Sequence, residues 1–447
     1  MKLQFQLPPQ VTKAMELLGQ GNFECFAVGG CVRDTLRGTT PHDWDLTTNA
    51  KPEQMQQCFA GYHTIETGLQ HGTLTVILDH MPLEITTYRI DGVYTDHRRP
   101  DQVSFTNSLT DDLARRDFTV NAMAYHPQCG LIDPFGGAED LQKKRIACVG
   151  NPSERFDEDG LRILRALRFA AVLDFTIDPE TDAAIHHQKD LLKHISAERI
   201  FVEMTKMLCG QAAERLLLSY PDVICTVLPQ LQPMVGFDQQ NPYHAYDVYT
   251  HSCKVTAAAP ATPVLRWAAF LHDSGKPHTF TRDERGGHFY GHGQVSEEIA
   301  RRTLHQLKSD RKTLDAVVTL IRHHDTVFSG NAKQIKRMVN RIGDELTEQL
   351  ILLHRADVSA QAEHLRAQRI QAADALLHTL MELRQQNACM TLKDLQINGK
   401  DIIAMGAQEG RIIGACLHAV MNDVLEELLP NERNALLTAA RQYLQQL

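Results

Sequence analysis

Two aspartates separated by one tryptophan, Asp43-Trp44-Asp45, follow a Gly29-Gly30 turn and an Arg33-Asp34 pair within "FAVGGCVRDTLRGTTPHDWDLTT". Side chains alternate faces along a strand, so Asp43 and Asp45 point one way and Trp44 the other. Parallel carboxylates repel unless a cation lies between them, and an all-oxygen donor set suits Mg²⁺, which also takes phosphate oxygens. A glycine turn lets the backbone approach a ligand closely, and a helix opening on it offers its first N–H groups to an anion. Each feature alone has a plainer reading, as a tight turn, a surface ion pair or an Asp-rich loop. In this order they describe a triphosphate cradle beside a metal-holding acid pair, the parts needed for nucleotidyl transfer.

Such residues need rigid elements behind them. Up to about Gly150, "FECFAVGG", "GTLTVILDHMPLEITTYR", "QVSFT" and "DFTVNAMAY" are rich in Val, Ile, Thr and aromatics between Gly, Pro and Asp, which predicts short strands. Beyond it, "DEDGLRILRALRFAAVL", "AERIFVEMTKML", "VLRWAAFLHD", "QVSEEIARRTLHQL", "TLDAVVTLIRHHD" and "NALLTAARQYLQQL" repeat apolar residues three and four apart, the helical period. The expected fold class is α+β: a small head over 1–150, a helical neck over 151–237, a His-rich helical region over 238–385 and a helical tail over 386–447. The ten cysteines include no Cys-x-x-Cys pair, which argues against a zinc ribbon or a disulfide framework and for reduced thiols. With 46 Lys+Arg against 55 Asp+Glu the net charge is −9, so no global positive field draws in nucleic acid, and an RNA partner must meet a local basic patch. No basic leader followed by an apolar run and no long apolar stretch is present; no membrane association and a cytoplasmic location are expected.

"GGCVRDTLRGTTPHDWDLTT" resembles the first motif of the class II tRNA nucleotidyltransferases, the CCA-adding enzymes and their bacterial poly(A) polymerase relatives. "LEITTYR", "ARRDFTVNAMAY", "LIDPFGGAEDL", "DEDGLRILRALRFAAVL" and "SAERIFVEMTKML" are similar, in order, to the family's later segments. The resemblance implies a polymerase-beta-type head with a mixed sheet, and Asp43 and Asp45 as catalytic Mg²⁺ ligands. It implies Glu84 as a third carboxylate near the attacking 3′-hydroxyl, and Gly29, Gly30 and Arg33 against the triphosphate. Arg115, Arg116 and Asp117 would contact sugar and phosphates. The partners it implies are a tRNA 3′ end, CTP and ATP, with no protein partner.

"DEDGLRILRALRFAAVL" is expected as a helix, on which Asp159, Arg162, Arg165 and Arg168 form an i+3 ridge beside Leu161, Leu164 and Leu167. By itself such a ridge is the solvated face of an amphipathic helix; the resemblance turns it toward the nucleotide. Cytosine and adenine both present an amino donor beside a ring-nitrogen acceptor, and uracil and guanine present the reverse. Asp159 accepting and Arg162 donating would therefore admit C and A without a template, leaving Arg165 and Arg168 to phosphates or to orienting the pair. Gly160 stands where such helices commonly carry alanine and is expected to cost some helix stability. Ser196 is expected to cap the next helix, with Glu198 in its first turn, as a brace. The stretch "RIDGVYTDHRRPDQVSF", with Asp91-Gly92 as hinge and Arg98-Arg99-Pro100 as tip, resembles the loop of relatives that add the terminal A. It favours complete CCA addition, although an A-adding enzyme or a poly(A) polymerase would share it. The last part resembles the family's tRNA-gripping tail, with Glu409-Gly410 where relatives have Gly-Pro.

His251, His272-Asp273 and Asp357 resemble the metal set of HD-domain phosphohydrolases. Imidazole with carboxylate suits Mn, Fe, Ni or Mg, and His292 and His323-His324-Asp325 could hold a second divalent ion. A histidine near an apolar face is otherwise a satisfied core residue. An HD-type phosphohydrolase acting on nucleotides or RNA ends, with a head that merely binds RNA, is the alternative of another class.

Overall fold

Seven short strands form one sheet: β1 (Cys25–Val28), β2 (Asp45–Thr48), β3 (His63–Ile65), β4 (Thr73–Leu78), β5 (Met81–Thr87), β6 (Ala124–His126) and β7 (Gly130–Ile132), in the order β3-β4-β5-β2-β1-β6-β7. In this computed structural model the described residues are 5–91, 103–284, 286–328, 330–408 and 410–446. The β2–β5 pair is parallel and the other pairs are antiparallel, so the sheet is mixed, as expected. Along β4 the residues alternate, with Leu74, Val76 and Leu78 buried, and Leu83 and Ile85 of β5 join them against Val11, Ala14, Met15 and Leu18 of the helix Pro9–Gln20. The opposite face carries a second cluster around Phe26, Val28, Tyr88 and Ala124. Because both faces are covered there, all four residues of β1 are buried, and its sequence "CFAV" reads as a continuous apolar run.

Register sets up the site. Val28 pairs with Asp45, and Asp45 pairs with Glu84, so the end of β1, the start of β2 and the middle of β5 lie side by side. The strand begins at Asp45, not at Asp43 as the alternation suggested. Trp44 is nonetheless buried while Asp43 and Asp45 are exposed, because its indole anchors the approach to the strand in the core. The stretch 92–102, with Arg98, Arg99 and Pro100, lies outside the described residues; its flanks Arg89–Asp91 and Val103–Phe105 pair as an antiparallel ribbon.

The segment "DEDGLRILRALRFAAVL" is two helices, Pro152–Glu158 and Leu161–Leu173. Asp159 between them is extended, at φ −141° and ψ 102°, so it is not on the ridge with Arg162, Arg165 and Arg168. The break has a tertiary cause. A Cβ on Gly160 would lie 2.9 Å from Leu191 Cβ and 3.3 Å from its carbonyl oxygen. Gly160 therefore gives up no helix interior; it lets the chain pass the Lys189–His194 turn. Gly160→Ala should destabilise the protein by about 1–3 kcal/mol through overpacking, despite alanine's higher helix propensity, and a urea titration would show it. Leu161, Leu164 and Leu167 are buried as expected, against a field that includes the Ala197–Leu208 helix. That helix starts after Ser196, but the Ser196 side chain makes no capping hydrogen bond.

The chain divides into two compact units, residues 1–229 and 230–447, with no division at 150. Head and neck are tied by the parallel pairing of Arg145–Ile146 with Thr176–Ile177 and by the Cys148 N–H donating to Thr181. The division falls before the expected boundary at Asp238, because the polar stretch there belongs to the second unit. Gln239 accepts from Lys276 Nζ at 2.8 Å, and Gly287 N–H donates to the Gln240 carbonyl. Within the second unit the residues after Gln385 have their own core, around Ile397, Cys416, Val420 and Leu436. No helix among the described residues is long and apolar enough to cross a membrane.

Candidate nucleotidyl-transfer site and a second histidine-carboxylate cluster

At the tip of β1 the backbone turns through Gly29 at φ +77°, a conformation glycine alone adopts easily. A Cβ there would also lie 2.9 Å from Arg116 Nη1, so the guanidinium packs directly over the turn. Arg116 is withdrawn from water, which lowers its basicity, while Asp112 and Asp45 support its charge. Its buried Nε finds no hydrogen-bond partner among the described residues. Although its side chain reaches the surface, Asp45 is crowded by the surrounding protein, and this partial loss of water pushes its carboxyl above the usual range; Arg116 opposes the shift, and Glu84 and Asp43 add to it. Three carboxylates and one arginine thus share the open edge beside the turn.

Arg33, on the helix Gly30–Leu36, donates to Asp34 at 2.9 and 3.0 Å and to Asn121 Oδ1 at 2.6 Å. Asn121 donates to Asp117 at 3.1 Å, and Asp117 Oδ2 accepts from Arg165 Nε and Nη2 at 2.8 and 2.5 Å. A continuous polar chain therefore runs from the turn to the neck helix. Three guanidinium groups gather around the Phe169 ring, with Arg168 at 3.5 Å, Arg33 at 5.3 Å and Arg165 at 5.6 Å from its centroid. Arg168 is held in turn by Glu203 at 2.7 Å. Asp112 was not expected in the site. Fully buried, it accepts from Arg115 at 2.9 and 2.7 Å and from Thr47 at 3.1 Å. Its i+3 and i+4 spacing to Arg115 and Arg116 was the available signal.

Burial alone would raise the Asp117 carboxyl, but Arg165 and the Asn121 hydrogen bond outweigh it and bring it down to about 2. A carboxyl depressed in the fold contributes stability that is complete above its unfolded value and is lost as the pH falls through the folded one. Between the ordinary value of 3.8 and about 2, the protein should lose about 2 kcal/mol through this group. In Asp117→Asn that part of the acid limb should disappear from urea titrations at stepped pH.

The Arg162 N–H donates to the Asp159 carbonyl at 2.9 Å, but the two side chains bond to different partners. Asp159 Oδ1 accepts from the Leu161 N–H at 3.1 Å and Oδ2 from Arg199 Nη2 at 2.7 Å. Arg162, also buried, donates to Glu158 at 2.5 Å and to the carbonyls of Arg155 and Arg115 at 3.1 Å. A cavity of about 200 Å³ lined by Ile90, Asp111, Ala114, Arg115, Arg155 and Glu158 adjoins them. Sequence reasoning missed Glu158 and Arg199, because their partners are set by how the helices pack.

In the second unit five helical segments bring six side chains together. His251, His272 and Asp357 form one group and Asp273, His292 and His324 another, each with ligand atoms within 4.8 Å of one another. His251 Nε2 lies 2.8 Å from Asp357, and Asp273 stands between the groups, 3.2 Å from His272 and 3.4 Å from His292. Nδ1 of His292, His324 and His272 each faces a backbone carbonyl, at 2.8, 2.6 and 2.8 Å. A carbonyl only accepts, so each Nδ1 carries the proton and each Nε2 offers a lone pair. The Nε2 atoms of His292 and His324 nevertheless sit 3.1 Å apart, an arrangement that repels unless a proton or a metal cation lies between them. The donor set therefore fits divalent metal. His324 rather than His323 joins the cluster, and Asp325 is an exposed neighbour 3.5 Å from His292 Nδ1. Lys276, unanticipated, pairs with Asp273 at 2.7 Å.

A carboxylate-bearing mixed sheet with a glycine turn, joined to an arginine-rich helical neck, defines a nucleotidyltransferase. Family models agree: the poly(A) polymerase head domain matches residues 25–147, the RNA and SrmB-binding site of polymerase A matches 174–231, and the second domain of tRNA nucleotidyltransferase matches 289–440. The chain is 33% identical to the CCA-adding enzyme of Levilactobacillus brevis over 98% of its own length and 97% of the relative's, and 33% identical to that of Leuconostoc mesenteroides over 98% of each. It belongs to the CCA-adding enzyme family. Among solved structures, the Bacillus stearothermophilus CCA-adding enzyme in complex with CTP matches with a TM-score of 0.72 and 26% identity, covering 98% of this chain and 99% of the other. The Thermotoga maritima CCA-adding enzyme complexed with tRNA shares the fold, with a TM-score of 0.61 and 18% identity over 98% and 96% of the two chains.

Proposed function

We propose that this protein adds C, C and A to tRNA 3′ ends without a nucleic-acid template, using CTP and ATP and releasing pyrophosphate. The observation that carries the reading is the register pairing of Asp45 with Glu84, beside Asp43, at the edge of a glycine turn covered by Arg116. It is supported by the similarity of relatives named as CCA-adding enzymes over nearly the whole chain. Asp43 and Asp45 would hold Mg²⁺, which when bound supplies charge neutralisation on the triphosphate and acidifies the attacking hydroxyl. Glu84 would sit toward that 3′-hydroxyl. Gly29, Gly30, Arg33 and Arg116 would hold the triphosphate, with Arg115 and Asp117 toward the sugar. The 3′-hydroxyl oxygen would attack the α-phosphorus while its proton passes to a carboxylate of the site, the bond from the α-phosphorus to the bridging oxygen breaks, and the pyrophosphate leaves with the negative charge, which the arginines offset. Asp159 and Arg162 would accept from the amino group and donate to the ring nitrogen of C or A, with Arg165 and Arg168 orienting them. Residues 386–447 would grip the tRNA, and the cytoplasm is the proposed place of action.

Incubation of the purified protein with labelled CTP, ATP and a tRNA lacking its last three nucleotides tests this reading. Stepwise extension by C, C and A is expected. Incorporation of A alone would instead identify an A-adding enzyme or a poly(A) polymerase.

A second activity is favoured by the facing Nε2 atoms of His292 and His324. His251, His272, Asp273, His292, His324 and Asp357 would hold a pair of divalent ions, which when bound would supply hydrolysis of phosphate esters on nucleotides or RNA ends. Metal analysis of the purified protein, with His292→Ala and His324→Ala as controls, tests it.

A further inference from the structure

We infer that Arg199 is a specificity-determining positioning residue: through its ion pair it fixes the orientation of the Asp159 carboxylate, and with it the discrimination of CTP from UTP. The inference rests on the proposed selecting role of Asp159 and goes beyond it, to a residue on a helix that carries none of the selecting groups.

Asp159 has no helix to orient it. It sits in extended backbone between two helices, where its side chain would be free to turn. Two contacts stop it. The Leu161 N–H holds Oδ1 at 3.1 Å, and Arg199 Nη2 holds Oδ2 at 2.7 Å. The first contact survives some rotation about the carboxylate axis, whereas the second fixes the plane. Each carboxylate oxygen has two acceptor sites, so Oδ2 can receive an amino proton from a base while still bonded to Arg199.

The supporting helix makes this more than a surface ion pair. Arg199 and Glu203 are four apart on Ala197–Leu208 and share a face, which packs against the neck helix Leu161–Leu173. From that face the arginine reaches the acid of the proposed selecting pair, and the glutamate reaches Arg168 at 2.7 Å. Glu203 is buried and Asp159 is 15% exposed at its side chain, so neither link is the loose, fully solvated kind. The same helix therefore holds both Asp159, in the break before the neck helix, and Arg168 on that helix. A base with a carbonyl where C and A carry an amino group is rejected only while the carboxylate cannot swing away from it.

The test compares Arg199→Met, Arg199→Lys and Asp159→Ala with the parent, measuring kcat and KM for single-nucleotide addition of CTP and UTP to tRNA lacking CCA. Arg199→Met is expected to lower the CTP-over-UTP ratio of kcat/KM by about tenfold, with Arg199→Lys restoring most of it. If Arg199→Met slows both nucleotides equally and leaves the ratio intact, Arg199 is merely structural and the inference is overturned. If Asp159→Ala also leaves the ratio intact, the selecting role of Asp159 falls as well. Relaxation in Asp159→Ala without relaxation in Arg199→Met overturns the inference alone.

Discussion

Asp45→Asn should abolish nucleotide incorporation, by about a thousandfold or more, while leaving the metal-free protein more stable than the parent. The two effects have one origin. Asp45 is held partly out of water at the strand edge, with Glu84 and Asp43 close enough to raise its carboxyl further. A carboxyl raised in the fold contributes a penalty that is complete above its folded value and disappears on acidification, so at neutral pH the charge costs stability. Asparagine keeps the shape and removes that cost, and with it the proposed magnesium ligand. Thermal melts with and without magnesium, beside the incorporation assay, separate the contributions: the parent should gain stability on adding the ion and the variant should not. A variant that is inactive because it is unfolded, or one that still responds fully to magnesium, would refute the role given to Asp45.

Asp273→Ala should act on the other unit, where the expected stability loss is about 3–5 kcal/mol. Asp273 is buried, forms an ion pair with Lys276 at 2.7 Å and is surrounded by His272, His292, His251 and His324. Burial alone would raise its carboxyl, yet His272 and Lys276 hold it well below the ordinary range. Removing it leaves the Lys276 ammonium buried among imidazoles, with the Gln239 side chain and the Phe289 ring as company. The unit should melt on the order of ten degrees lower and lose divalent metal, while incorporation into tRNA persists below that transition. Loss of incorporation with the melting and metal content unchanged would contradict the separation of the two sites.

The parts that could be read along the chain are those set by near neighbours. Alternation put Asp43 and Asp45 on one side and Trp44 on the other, a period of two that needs no tertiary information. The Gly29 turn was legible because a positive φ is a demand on one residue. The His272-Asp273 pair and its distant companions could be named because few chains space those residue types so. What escaped depends on contacts far along the sequence. The helix break at Gly160 is imposed by Leu191, the partner of Asp159 is Arg199, and the partner of Arg162 is Glu158 rather than Asp159. His323 and His324 differ by one position at a helix end, and which of them faced inward could not be chosen without the neighbouring helices. That Gln239 belongs with the second unit, bonded to Lys276, is likewise a contact no local composition announces.

The ring of Phe169 has guanidiniums at 3.5, 5.3 and 5.6 Å, one of them rooted in the helix that opens on the glycine turn and two in the neck. Each of these charges has a carboxylate of its own, Asp34, Asp117 and Glu203, yet they crowd one ring, so displacing any member alters the field felt by the remaining two. Under the proposed roles, polyphosphate arriving at one end and a base arriving at the other would be registered through a common aromatic pivot. Neither half of an incoming nucleotide would then be recognised in isolation.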